Sequence, residues 1–221
     1  MTLRSRLALR FVLGTLFFGI VLFLPAGTLH FWQAWAYLAI WLIPSLGAFV
    51  YFYRHDPQML ERRSRMSEQV REQKWIVAVL YVLYLTGMVL PGLDHRFGWS
   101  HVPLWLIIAS QVIIVAGYAF TLWVLKVNTF AGRTIRVEAE QKVISTGPYR
   151  LVRHPMYLGV SSMMLCSPLA LGSFFAFPLF ALVVVCVILR LLNEEKILLE
   201  QLAGYSDYCL HTRFRLVPHV W

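Results

Sequence analysis

Charge is scarce in this sequence. Only 14% of its 221 residues are charged, against about a quarter in a soluble domain. With 59% hydrophobic residues and a mean hydropathy of +0.64, the chain has too little polar surface to wrap a water-soluble globule, and a bilayer is the natural solvent for the excess. Acidic residues are scarcer than basic ones, 11 against 20. The resulting charge of +9 does not describe a nucleic-acid partner. Such a partner needs its basic residues gathered on one soluble face, and here they lie in short loops between apolar segments. Cysteine is scarce too. Cys166, Cys186 and Cys209 form neither a disulfide framework nor a zinc pattern and read as small apolar fillers, so no metal is expected. Internal repeats and low-complexity segments are absent. So is the Gly-rich strand–turn–helix fingerprint of a Rossmann site.

What the sequence has in abundance is apolar runs near the ~20 residues that a spanning helix needs. Six are expected, at about Leu9–Pro25, Trp35–Tyr53, Trp75–Leu93, Val102–Leu125, Met156–Leu171 and Phe174–Leu192. The first follows a charged start, as a signal peptide would. It lacks a clear small-x-small cleavage site and is read as a retained span. Only Gly172 and Ser173 separate the last two runs, which predicts a tight helical hairpin. The expected architecture is an all-α polytopic bundle. Four spans occupy residues 1–126, and residues 127–221 form a cofactor-binding region of hairpin plus tail within one integral domain.

Basic residues alternate between the loops. Arg4, Arg6 and Arg10 lie at the start. Arg54, Arg62, Arg63, Arg65, Arg71 and Lys74 follow the second span, on a connector read as a short amphipathic helix. Lys126, Arg133, Arg136, Lys142, Arg150 and Arg153 follow the fourth, and Arg190, Lys196, Arg213 and Arg215 the sixth. The three opposite connections hold only Arg96. By the positive-inside rule, six crossings then place both termini in the cytoplasm. Phe31, Trp32, Trp35, Tyr51, Tyr53, Trp75, Trp99 and Trp105 sit near the expected interfaces, where amphipathic rings prefer headgroup depth.

Polar chemistry concentrates in two places. One is the stretch Gly147–Gly159, with Tyr149, Arg153, His154, Pro155 and Tyr157. Proline suits the first turn of a helix, so the fifth span starts at His154 or Pro155. Its free N–H groups and partial positive charge suit a carboxylate ligand. Gly159 permits close approach of a helix or a ligand. The other is Arg190–Lys196, where Arg190 and Glu194 can pair four residues apart. The adjacent carboxylates Glu194 and Glu195 at a membrane rim invite something cationic. The hairpin brings both stretches to the same edge.

Together these groups match S-adenosylmethionine: a glutamate for the ammonium, the helix start with Arg153 or His154 for the carboxylate, and tyrosines for the adenine and sulfonium. A nucleotide remains open on the residues alone. The strings Gly147-Pro148-Tyr149-Arg150, Arg153-His154-Pro155-Met156-Tyr157-Leu158-Gly159 and Glu194-Glu195, followed by Leu198, Gly204, Tyr205, Tyr208 and Pro218, resemble the isoprenylcysteine carboxyl methyltransferase family, related to phospholipid N-methyltransferases. The resemblance runs from about Asn128 to Trp221.

It implies a cytoplasmic S-adenosylmethionine pocket reached from the membrane by a lipophilic or lipid-modified substrate. Tyr149, His154, Pro155, Tyr157, Gly159, Glu194 and Glu195 would line the pocket, and Arg153, Glu195 and His211 would serve as catalytic candidates. His211 stands where relatives carry a basic residue, often Arg, with Arg213 and Arg215 as substitutes. Membrane lipids are expected partners, and the acceptor is expected to enter through a gap between the fourth span and the hairpin. A carboxylate or thiolate acceptor needs no base, whereas an amine must lose a proton, for example to His154 or His211. Two other readings stay open: an NADPH-dependent membrane reductase of sterol- or isoprenoid-like substrates, and a transporter or scaffold.

Overall fold

The computed structural model describes residues 3–64, 71–130 and 141–221. Arg65, Arg133 and Arg136 lie outside the described residues, as do the side chains of Arg4, Arg6, Arg62, Arg63 and Arg71. The described residues are helical with no strand. The order is α1 Leu3–Ala26, α2 Trp32–His55, α3 Pro57–Ser64, α4 Arg71–Phe97, α5 Leu104–Val127, a 3-10 turn Gly147–Arg150, α6 Pro155–Ala170, α7 Phe177–Gln201 and α8 Tyr205–His211.

Five helices, α1, α2, α4, α5 and α7, are long and apolar enough to cross a membrane, and the protein is a helical membrane protein. Their outward faces carry large apolar side chains such as Leu24, Ile43, Trp75 and Trp105, which only lipid can solvate at low cost. The fifth expected span, α6, is shorter. Its 16 residues reach about 24 Å at a rise of ~1.5 Å per residue, below the ~30 Å of a hydrocarbon core. It packs between α5 and α7 and is shielded by them.

The short connector expected after the second span holds α3. Asp56 caps this helix, its Oδ1 accepting the Met59 N–H at 2.9 Å, and Pro57 occupies the first helical position, both ordinary N-terminal devices. Met59 packs with Phe52 and Leu125, which pins α3 across the ends of α2 and α5.

The hairpin turn is longer than its sequence suggested, running from Leu171 to Ala176. Gly172 has φ +76°. Its N–H bonds the Leu169 carbonyl, and the Ser173 N–H bonds that of Pro168. This pair of bonds is a Schellman cap, which requires a left-handed residue and so favours glycine. The turn is anchored by Asp94 of α4, which is buried. Its carboxylate accepts the Ser173 hydroxyl at 2.5 Å and the Ser100 backbone N–H at 2.8 Å, together with the Ser100 hydroxyl. One side chain thus ties the end of α4, the α4–α5 loop and the hairpin tip at the end opposite the basic loops.

Helices α5 and α6 are locked by paired glycines. A Cβ on Gly159 would lie 2.4 Å from Thr121 Oγ1, and one on Gly117 would lie 2.8 Å from Met163 Cγ. Gly159 therefore lets the two helices approach closely. Small residues let backbones come close where no hydrophobic drive acts between helices. Between Gly117 and Thr121 of the fourth span and Gly159 of the hairpin, this interlock leaves no room for an acceptor.

Gly159→Val should force the two helices apart at a cost of about 1–3 kcal/mol, the usual range for overpacking. A lower melting temperature in mild detergent checks this, with Gly14→Val, at a position with nothing within 4 Å, as the unaffected comparison.

Candidate functional site

The polar site forms where α6 begins and α7 completes its fifth turn. Pro155 holds the first position of α6, with His154 as N-cap. Before it, the 3-10 turn Gly147–Arg150 buries Pro148 and Tyr149. After α7, Gly204 in the left-handed region at φ +80° reverses the chain into α8, which returns Tyr205 and Tyr208 to the same place.

The chain end then folds back on the α6 start. The backbone N–H groups of Arg153 and His154 donate to the Phe214 and Arg215 carbonyls, both at 2.9 Å. The N–H of Tyr157 bonds the His154 carbonyl. The free helix-start N–H groups expected to greet a carboxylate ligand are thus largely engaged by the protein itself. The tail takes them because its extended backbone has carbonyls to satisfy in a buried place.

Side chains complete the arrangement. Arg153 Nε lies 2.7 Å from Glu195 Oε1, with both side chains under a tenth exposed. The distance makes an ion pair, but the N–H does not aim at the oxygen, and neither atom has a directed hydrogen bond. Arg153 Nη1 donates instead to the Thr212 and Arg213 carbonyls, each at 3.1 Å. Arg215 Nε donates to the other Glu195 oxygen at 2.5 Å, and the Arg215 guanidinium also lies 5.6 Å from the Trp221 ring centre. His154 Nε2 is 3.4 Å from the Tyr205 hydroxyl and 3.9 Å from Glu195 Oε1.

Beside this cluster, Tyr157 donates its hydroxyl to Glu194 Oε2 at 2.5 Å. One turn deeper on α7, Arg190 Nη1 donates to Gln73 Oε1 at 3.1 Å. Tyr149 is fixed from two sides: Asn128 donates to its hydroxyl at 3.0 Å, and Tyr208 donates to its carbonyl at 2.6 Å. Burial pushes the Tyr208 hydroxyl up to about 12 and that of Tyr205 well above the usual tyrosine range. Both therefore act as neutral hydroxyls near neutral pH.

The structure brings together Tyr149, Arg153, His154, Pro155, Tyr157, Glu194 and Glu195. His211 is exposed, and its Nδ1 engages the Asp207 carbonyl of its own helix at 2.8 Å. The basic tail residue that reaches Glu195 is Arg215. Sequence reasoning missed the backbone pairing of 153–154 with 214–215, the role of Asn128 and the Gln73–Arg190 pair. The spacing of Tyr205 and Tyr208 after Gly204 was the one available signal for a return helix.

These features define a class: a helical membrane protein with a buried polar site at the open end of a helical hairpin. Comparison with known proteins narrows the class. The family model for phospholipid methyltransferases matches residues 105–204, a segment that contains both the Arg153–Gly159 string and Glu194-Glu195. Protein-S-isoprenylcysteine O-methyltransferase A of Arabidopsis thaliana is 33% identical over 103 residues, 41% of this chain and 48% of the relative. The chain thus spans about half the length of the curated relative it matches. The two matches bear out the resemblance to isoprenylcysteine carboxyl methyltransferases read from the motifs.

Glu195→Gln should leave the Arg153 guanidinium buried with only neutral partners. Removing one member of a buried pair typically costs about 3–5 kcal/mol. Detergent-solubilised protein is expected to unfold at a markedly lower temperature. An Arg153→Met/Glu195→Met double variant should recover much of the loss, and a double variant as unstable as the single would refute the pairing.

Proposed function

We propose that this chain is a membrane methyltransferase that uses S-adenosylmethionine to methylate a lipophilic or membrane-associated acceptor, with its basic end and its site facing the cytoplasm. The carrying observation is the meeting of a proline-started helix and a diglutamate, with Arg153 and Glu195 2.7 Å apart and Glu194 tethered beside them by Tyr157.

The residues present suit this cofactor, with a division of labour between the two glutamates. Glu195 is neutralised by two guanidiniums, so it orders the site. Glu194 is half-buried and uses one oxygen on Tyr157, leaving the other for an ammonium. Such a charge-assisted bond is about twice as strong as a neutral one. Arg153, Arg215 and Glu195 sum to one positive charge, which favours the cofactor carboxylate near His154. Tyr149, Tyr205 and Tyr208 supply aromatic surface for the adenine and the sulfonium.

S-adenosylmethionine brings a methyl carbon already activated by its sulfonium. When bound, it would supply that methyl to the acceptor's lone pair, the electron pair of the broken carbon–sulfur bond leaving with sulfur. The protein's part is to align the partners and exclude water. The name of the Arabidopsis relative points to an isoprenylcysteine oxygen as acceptor, and that of the family model to a phospholipid.

Calorimetric titration with S-adenosylhomocysteine should show binding by the wild-type protein in mild detergent. Glu194→Gln should weaken it about 10- to 100-fold, the effect of losing a hydrogen bond to a charged group. Labelled-methyl transfer to isoprenylcysteine analogues and to total membrane lipids then identifies the acceptor. Stabilisation by NADPH and none by S-adenosylhomocysteine would overturn the reading in favour of a reductase.

A further inference from the structure

On the outer face of α2, away from the polar site, a groove of about 510 Å³ runs along Ile43, Leu46, Gly47 and Val50 to Tyr51, Arg54 and His55. Its upper part is purely apolar, and a Cβ on Gly47 would meet nothing within 4 Å. Its lower end is cationic. Lys126 of α5 holds its ammonium 4.3 Å from the Tyr51 ring centre, and His55 stacks on the same ring at 4.4 Å while its Nδ1 engages the Tyr51 carbonyl. Arg54, His55 and Lys126 are all exposed. The opposite face of α2 is taken: Ala48 and Phe52 pack with Met59 and Leu125. Asp56, the nearest acid in the sequence, turns one carboxylate oxygen to the α3 cap.

We infer that this groove is a binding site for an anionic phospholipid. The distance along α2 from Ile43 to Arg54 is about 16 Å, the reach of an acyl chain from mid-membrane to headgroup. Apolar walls above and two permanent positive charges below are complementary to a chain carrying a phosphate. Tyr51 holds Lys126 and His55 beside its ring, at headgroup depth, where an aromatic ring is itself at home. The wider groove between α1 and α2, about 960 Å³, has no charged residue in its lining and so no means of choosing a headgroup. The basic loops stand at the same end as Arg54 and Lys126, the end that meets an anionic leaflet if it faces the cytoplasm. The inference does not depend on the proposed chemistry, because none of these residues belongs to the polar site.

The test uses full-length protein in neutral detergent, titrated with phosphatidylglycerol or phosphatidylcholine and read by native mass spectrometry. Wild type should retain one phosphatidylglycerol in preference to phosphatidylcholine. Arg54→Gln with Lys126→Gln should lower the preference about 25-fold, from about fivefold for each basic group. Gly47→Trp should abolish retention of both lipids at this site by filling the groove, without touching a charge. Arg96→Gln, at the opposite end, should change nothing. Equal retention of the two lipids by wild type, or an unchanged preference in both groove variants, would overturn the assignment. So would a dimer lost on Gly47→Trp, which would give the groove to a second copy of the chain.

Discussion

Glu195 lies between the guanidiniums of Arg153 and Arg215 where water competes little, and the whole basic end of the protein is organised around that carboxylate. Arg153 precedes α6, Glu195 sits on α7 and Arg215 belongs to the tail, so three chain segments converge on a single negative charge. Desolvating these groups costs several kcal/mol per ion, and the cost is offset only when geometry and further hydrogen bonds are good. The Thr212 and Arg213 carbonyls supply two of those bonds. The backbone pairing of Arg153 and His154 with Phe214 and Arg215 follows from the same requirement, because a tail drawn to Glu195 must bury its own polar groups.

The two ends of the hairpin use different physics. At the tip, Asp94 collects donors from a loop and a turn, and a Schellman cap closes α6. Along the shaft, glycines replace side chains so that α5 and α6 can touch. At the mouth, charges meet. Order at the mouth therefore depends on register along the shaft. α6 cannot slide without bringing a side chain against Thr121 in place of Gly159, and a fixed α6 fixes where Arg153 meets α7.

Much of this was legible in the sequence, for definable reasons. Apolar runs and basic loops are one-dimensional signals that the bilayer reads directly, so five of the six expected spans and the hairpin emerged from the order of residues alone. The meeting of Arg153, His154 and Tyr157 with Glu194 and Glu195 followed from the hairpin's connectivity. What escaped was set by contacts between distant segments. The tail from Thr212 to Trp221 has no helical period and no strand alternation to announce that it pairs with residues 153 and 154. His211 occupied the expected place for a basic residue, yet its side chain stays on its own helix, while Arg215, four residues on, makes the reach. Asp94 was invisible because its partners, Ser100 and Ser173, are ordinary loop residues until folding brings them together. Gly159 was recognised as a point of close approach, but nothing before the fold distinguished a ligand from Thr121.

The unequal arms of the hairpin have a consequence for depth. α6 needs only 16 residues to travel from the shared tip to its start, and Glu194 lies about the same rise along α7. α7 then continues to Gln201, about 10 Å further, before α8 and the tail turn inward above it. The polar cluster is therefore a sunken floor, with helix ends and tail as its parapet.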